Sequence, residues 1–115
     1  MVKEMLLIKR KPGLSREEFV KHYEEVHAPL ILKNCPTVKR YVRNYVANTL
    51  GAVGPDFDCI TEVWYEDMAG FKALGRVYMS EAGKPIRDSE ESFMDSGKLV
   101  VFLAEEKASG QASVR

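Results

Sequence analysis

Along this chain the spacing of apolar residues switches repeatedly between the period of a strand and that of a helix, and the order of the switches admits few folds. "EMLLIKR" (Glu4 to Arg10) reads as a short strand, ended by Pro12 and Gly13. Ser15 followed by Glu18 makes a capping box, after which Phe19, Tyr23, Val26, His27 and Leu30 recur at helical spacing. That pattern predicts a helix over about residues 16–28 that ends, or restarts, around His27, because Pro29 lacks a backbone donor and disfavours helical geometry at Ala28. "VKRYVRNYVAN" (Val38 to Asn48) is rich in β-branched and aromatic residues and predicts a second strand. "TLGAVGPDF" then reads as a long loop, with Gly51 and Gly54 giving it the freedom of a lid. A third strand follows at about Cys59 to Tyr65, and Asp67 is placed to cap a helix through "MAGFKALGRVYMS". A short helix or turn near Pro85 to Met94 precedes a last strand in "KLVVFLAEE".

The order β-α-β-β-α-β is that of the ferredoxin-like, split βαβ arrangement: an α+β fold with helices on one face of a four-stranded antiparallel sheet. The other sheet face is left bare. Leu99 to Leu103 are apolar without alternation, which predicts burial on both sides of that strand and hence a second copy of the chain as cover. Residues 1–106 form one expected domain, and the small, polar segment 107–115 is expected to be disordered.

Formal net charge is zero and the pI is about 6.7, so the basic footprint of a nucleic-acid binder is missing. No apolar run is long enough to span a bilayer, and the N-terminus lacks the pattern of a signal peptide; a cytoplasmic location is expected. Cys35 and Cys59 stand in separate segments without metal-ligand spacing and read as small buried hydrophobes. No dinucleotide or phosphate-binding glycine motif and no histidine–carboxylate cluster occurs, so neither cofactor nor metal is expected.

Tyr23 and His27 lie one turn apart on one side of the first helix. A helix terminus favours imidazolium and burial favours imidazole, a balance that holds a histidine near neutrality for acid–base work. The alternative is a partly buried histidine that caps carbonyls, with Tyr23 a core aromatic whose hydroxyl is satisfied. His22 points away from this pair and is expected in solvent. On the second strand Arg40, Val42, Asn44 and Val46 share one face, and Tyr41, Arg43, Tyr45 and Ala47 the other; alternation does not say which faces inward. Asn44 between two valines has the pattern of a buried amide that holds an oxyanion, or of an edge residue. Glu62 lies between Ile60 and Trp64 on one face, which predicts either a desolvated carboxylate of raised pKa or an ion pair to Arg40 or Arg43. Asp58 ends the long loop and either faces a pocket or closes a turn.

"IKRKPGLSREEFVKHYEEVHAPL" resembles the opening of the EthD family, in which K/R-P-x-(hydrophobic)-S/T-x-E-E-F runs into a helix ending H-x-P. "VKRYVRNYV" resembles that family's second strand and "DFDCITEVWYEDMAGF" its third strand and acidic helix start, so the similarity covers about residues 3–105. Cys59 departs from a position where the family often has glycine. The resemblance implies a two-fold dimeric α+β barrel with sheets packed face to face, and a pocket in each subunit between helices and sheet. It also implies chemistry on small, often aromatic or polyketide-derived molecules without metal or organic cofactor. The leading expectation is therefore a cofactor-independent isomerase or lyase acting on an unsaturated carbonyl or carboxylate compound. His27 would shuttle the proton, Tyr23 and Asn44 would hold an enolate-like oxygen, and Asp58 or Glu62 would assist. Tyr41 and Trp64 would line the substrate site, and Arg40 or Arg43 would bind a substrate carboxylate. A cofactor-free monooxygenase and a non-enzymatic small-molecule-binding dimer are the alternatives.

Overall fold

The computed structural model describes residues 1–110, so positions 111–115 of the expected tail lie outside the described residues; 105–110 carry no regular secondary structure. Strands β1 (Val2–Ile8), β2 (Val38–Tyr45), β3 (Cys59–Tyr65) and β4 (Val100–Ala104) form one antiparallel sheet in the order β2-β3-β1-β4. β1 starts and ends two residues before the predicted run, and β2 stops at Tyr45 rather than Asn48. Helices α1 (Arg16–His22), α2 (Ala28–Asn34), α3 (Met68–Met79) and α4 (Lys84–Phe93) complete the α+β architecture.

The Ser15 capping box forms as predicted: the Ser15 hydroxyl accepts from the Glu18 N–H, and the Glu18 carboxylate accepts from the Ser15 N–H. Asp67 likewise caps α3 by accepting from the Gly70 N–H. Of the two expectations at Pro29, an end or a restart, the helix restarts. Tyr23–His27 widen into a π-turn, closed by the Ala28 N–H donating to the Tyr23 carbonyl, and α2 continues through the proline to Asn34. Pro29 then occupies the first turn of a renewed helix, where its missing N–H costs nothing. One extra residue per turn is how the chain passes a proline without losing the helix, and such π-bulges concentrate at functional sites.

Alternation divides the sheet. Glu4, Leu6 and Ile8 of β1 share the helix-covered face with Tyr41 and Tyr45 of β2 and with Thr61, Val63 and Tyr65 of β3. The core packs there: Ile8, Phe19, Tyr23, Cys59, Phe93 and Met94 form one buried cluster, and Ile31, Cys35 and Ile86 a second. The opposite face carries Met5, Leu7, Val42, Ile60, Glu62, Trp64 and Phe102. Edge strand β4 is bare on both faces of the single chain: Val100, Val101, Phe102 and Leu103 are 45–48% exposed.

Two features hold α4 against the site. Gly83 lies so close to the end of α3 that an added Cβ would come within 2.2 Å of the Val77 carbonyl oxygen. Arg87 Nη1 donates to the carbonyls of Tyr78 and Ser80, tying α4 to the same turn.

Candidate functional site

Between the helices and the covered sheet face lies a cavity of about 310 Å³. Its walls are apolar side chains such as Leu6, Ile31, Val63, Leu74 and Leu99, and its polar groups are Glu4, Tyr23, His27, Tyr41, Thr61, Tyr78 and Glu90. The i, i+4 spacing did bring Tyr23 and His27 together: their rings meet edge to face at 5.6 Å.

His27 is 2% exposed. Its Nδ1 is 2.9 Å from the Ser89 hydroxyl of α4, while Nε2 has no hydrogen-bond partner among the described residues, and the residue lines the cavity. The same Ser89 hydroxyl is 2.9 Å from His22 Nε2. His22 is therefore not in free solvent as its position in the sequence suggested: it is half-buried, bridged to His27 through Ser89 and packed on Phe93 at 4.8 Å. A hydroxyl has one proton to give, so Ser89 donates to at most one of the two rings and accepts from the other. The tautomers of the two histidines are thus coupled.

Burial, and secondarily the neighbouring His22, lowers the His27 pKa to about 4. The expected balance near neutrality fails for a structural reason. The helix continues past His27, so no carbonyl terminus is there to favour the cation, and desolvation decides. At neutral pH the ring is an uncharged imidazole.

A second set of hydroxyls lines the floor. Tyr41 OH donates to Tyr23 OH at 3.1 Å, and Tyr23 OH lies 2.7 Å from Thr61 Oγ1. Burial raises both phenols well above the usual tyrosine value, so both stay protonated. Two carboxyls complete the polar lining. Glu4 Oε1 accepts from Tyr65 OH at 2.8 Å, and Glu90 Oε1 accepts from Tyr78 OH. Burial raises both carboxyl pKa values, and the charges of Glu91 and Glu4 raise Glu90 further. Among the described residues no group of three or more His, Cys, Asp or Glu side chains is arranged to hold a metal ion.

The other sequence candidates lie elsewhere. Glu62 is on the bare sheet face, paired at 2.9 Å with Lys3 and accepting from Asn44 Nδ2 at 2.9 Å; the Lys3 hydrogen bond lowers its pKa, so it is an ion-paired carboxylate, though paired to Lys3 and not to Arg40 or Arg43, and not the desolvated one. Asn44 is exposed and also donates to the Ile60 carbonyl, so it holds no oxyanion. Arg40 and Trp64 share that outer face, the guanidinium 5.8 Å from the indole. Arg43 lies on the inner face but is engaged by Glu24 at 2.8 Å and by the Tyr41 carbonyl. Asp58 accepts from the Arg10 N–H at 2.8 Å and closes a turn. The loop 49–57 adds no residue to the cavity.

Sequence reasoning missed Glu4, Thr61, Tyr78, Ser89 and Glu90. A signal for α4 existed: Ile86, Ser89, Glu90 and Phe93 recur at helical spacing, with a serine and a glutamate inside an apolar stripe.

A family model described as the EthD domain matches residues 11–97. The chain belongs to the EthD family. Comparison with the curated proteins finds no match. Among solved structures, an ethyl tert-butyl ether D (EthD) family protein from Bacillus halodurans is 20% identical with a TM-score of 0.66, over 93% of this chain and 100% of that one. HapK from Hahella chejuensis is 16% identical, TM-score 0.68, over 98% and 99% of the two chains. A dimeric protein of unknown function and ferredoxin-like fold from Bacteroides fragilis is 10% identical, TM-score 0.63, over 91% and 95%. At these identities the neighbours show the shared EthD-type fold, one also found in dimeric proteins. No helix among the described residues is long and apolar enough to cross a membrane.

Proposed function

We propose that this EthD-family protein is an enzyme that moves a proton on a small, enolisable carbonyl compound held in the cavity, the step common to isomerisation and dehydration. The observation that carries the reading is the unpartnered Nε2 of a nine-tenths-buried neutral imidazole at the cavity wall, with Nδ1 fixed by Ser89. When Nδ1–H donates to Ser89 Oγ, Nε2 presents a bare lone pair and is the base for a C–H next to a carbonyl. The proton it takes is hard to keep in so dry a place. Ser89 gives it an exit: Nδ1–H passes to Oγ as the Ser89 proton moves to His22, which is nearer solvent. His27 is then neutral again with its proton on Nε2, ready to return it to another carbon or to a leaving hydroxyl. The Tyr41–Tyr23–Thr61 hydroxyls line the same cavity, and with Tyr41 donating to Tyr23 the chain keeps one proton, on Tyr23 or Thr61, for the enolate oxygen. Trp64, expected to line the substrate site, lies on the outer sheet face, which removes one support of the oxygenase alternative; the proton-transfer reading is preferred.

The test is deuterium uptake by 1-tetralone in D₂O, followed by proton NMR. The protein is expected to accelerate exchange beside the carbonyl, and His27→Ala to lower that rate at least about a hundredfold, the ordinary loss for a general base. A rate untouched by His27→Ala in a folded variant removes the histidine from the mechanism, and tight binding without exchange favours a sequestering protein instead.

The proposal includes a homodimer through the bare sheet faces. Val100 and Phe102 leave about half their surface in water, beside Met5, Val42 and Ile60, an arrangement suited to a two-fold partner. Phe102→Glu is expected to turn a dimer into a monomer in sedimentation velocity; a wild-type monomer at all concentrations refutes the pairing.

A further inference from the structure

The proposed function fixes where a substrate sits but not its charge. The lining contains no lysine or arginine. The guanidiniums that touch its walls are committed: Arg43 to Glu24 and the Tyr41 carbonyl, Arg87 to the carbonyls of Tyr78 and Ser80. In place of a cation the cavity has two carboxyls, Glu4 from β1 and Glu90 from α4, close enough for the charge of one to act on the other. Each uses Oε1 to accept from a tyrosine, and the second oxygen of each makes no hydrogen bond among the described residues. His27, whose Nε2 has no hydrogen-bond partner among the described residues, lines the same space.

We infer that the cavity takes an uncharged, largely apolar ring compound carrying hydroxyl or ketone oxygens, which Glu4 and Glu90 bind directly, and that it turns carboxylates away. A carboxylate that enters loses its hydration without gaining a counter-ion, and meets two carboxyls. A hydroxyl suits the site in either protonation state of a glutamate, since it accepts from a carboxylic acid and donates to a carboxylate. A ketone oxygen accepts from the protonated form, which burial favours at both positions. The apolar walls and the volume of about 310 Å³ match the small end of ligand cavities. This inference rests on the proposed function only in taking the same cavity as the site. It replaces the earlier expectation of a substrate carboxylate held by Arg40 or Arg43.

The experiment titrates 2-naphthol, neutral at about pH 7, and 2-naphthoate, an anion of similar shape, into the ¹⁵N-labelled protein. 2-Naphthol is expected to shift cavity resonances, those of Tyr23, His27 and Glu90 among them, and to bind at least about tenfold more tightly than 2-naphthoate. Glu90→Gln and Glu4→Gln, singly and together, are expected to narrow that preference, each variant first shown folded by its amide spectrum. Equal or tighter binding of 2-naphthoate, a preference unchanged in both single variants, or failure of both compounds to reach the cavity overturns the inference. Its failure is separable from that of the proposed function: tetralone exchange dependent on His27 with no preference for the neutral naphthalene sinks this inference alone, and the opposite pair of results sinks only the proton-transfer reading.

Discussion

Phe93→Ala is expected to lower the unfolding free energy by about 3–5 kcal/mol, the range for removing a fully buried phenylalanine from a close-packed core. Phe93 is 0% exposed, and its ring lies 5.5 Å from Phe19, 5.1 Å from Tyr23, 4.8 Å from His22 and 4.9 Å from His27. Deleting it removes apolar burial and leaves a void beside two histidines that cannot collapse inward without losing Ser89. Urea unfolding of the two proteins checks this. A loss under about 1 kcal/mol would mean that the helices close over the gap and that the packing of α4 is not what fixes the histidine pair.

Acid should destabilise the protein through His27 before the carboxylates dominate. Its pKa is about 4 in the folded state against 6.5 for an ordinary histidine. Between those values the unfolded chain binds a proton that the folded protein refuses, so stability falls as the pH is lowered through the window. The slope is about 1.4 kcal/mol per pH unit and the loss about 3 kcal/mol in all. Above pH 6.5 both states carry neutral imidazole and the contribution is constant. Glu4 and Glu90, with raised values, act in the opposite sense, so the contrast must be with a variant. His27→Gln keeps a polar side chain and should unfold with a distinctly flatter pH dependence between 6.5 and 4. Parallel curves would show that the imidazole is protonated in the folded protein.

The order of strands and helices was legible because each has its own period and punctuation: Pro12-Gly13, the Ser15 box and the Asp67 cap all sit where the chain changes element. The histidine–tyrosine pair was legible for the same reason. What alternation does not encode is which sheet face receives the helices. Ile60-Glu62-Trp64 looked like core because both faces of this sheet are apolar, one against helices and one bare. Glu4 and Glu90 stayed hidden because they are 86 residues apart in sequence and come to line one cavity only in the folded chain. The proline's local rule allows an end or a restart around His27, and only the fold, by placing a π-turn ahead of it, decides for the restart.

The pleat of this sheet assigns neighbouring positions to separate tasks: Glu4 belongs to the pocket and Met5 to the back, Thr61 to the pocket and Glu62 to the back. On the proposed function and the proposed pairing, a lineage built on this scaffold drifts in its ligand at one set of positions and in its assembly at the set between them.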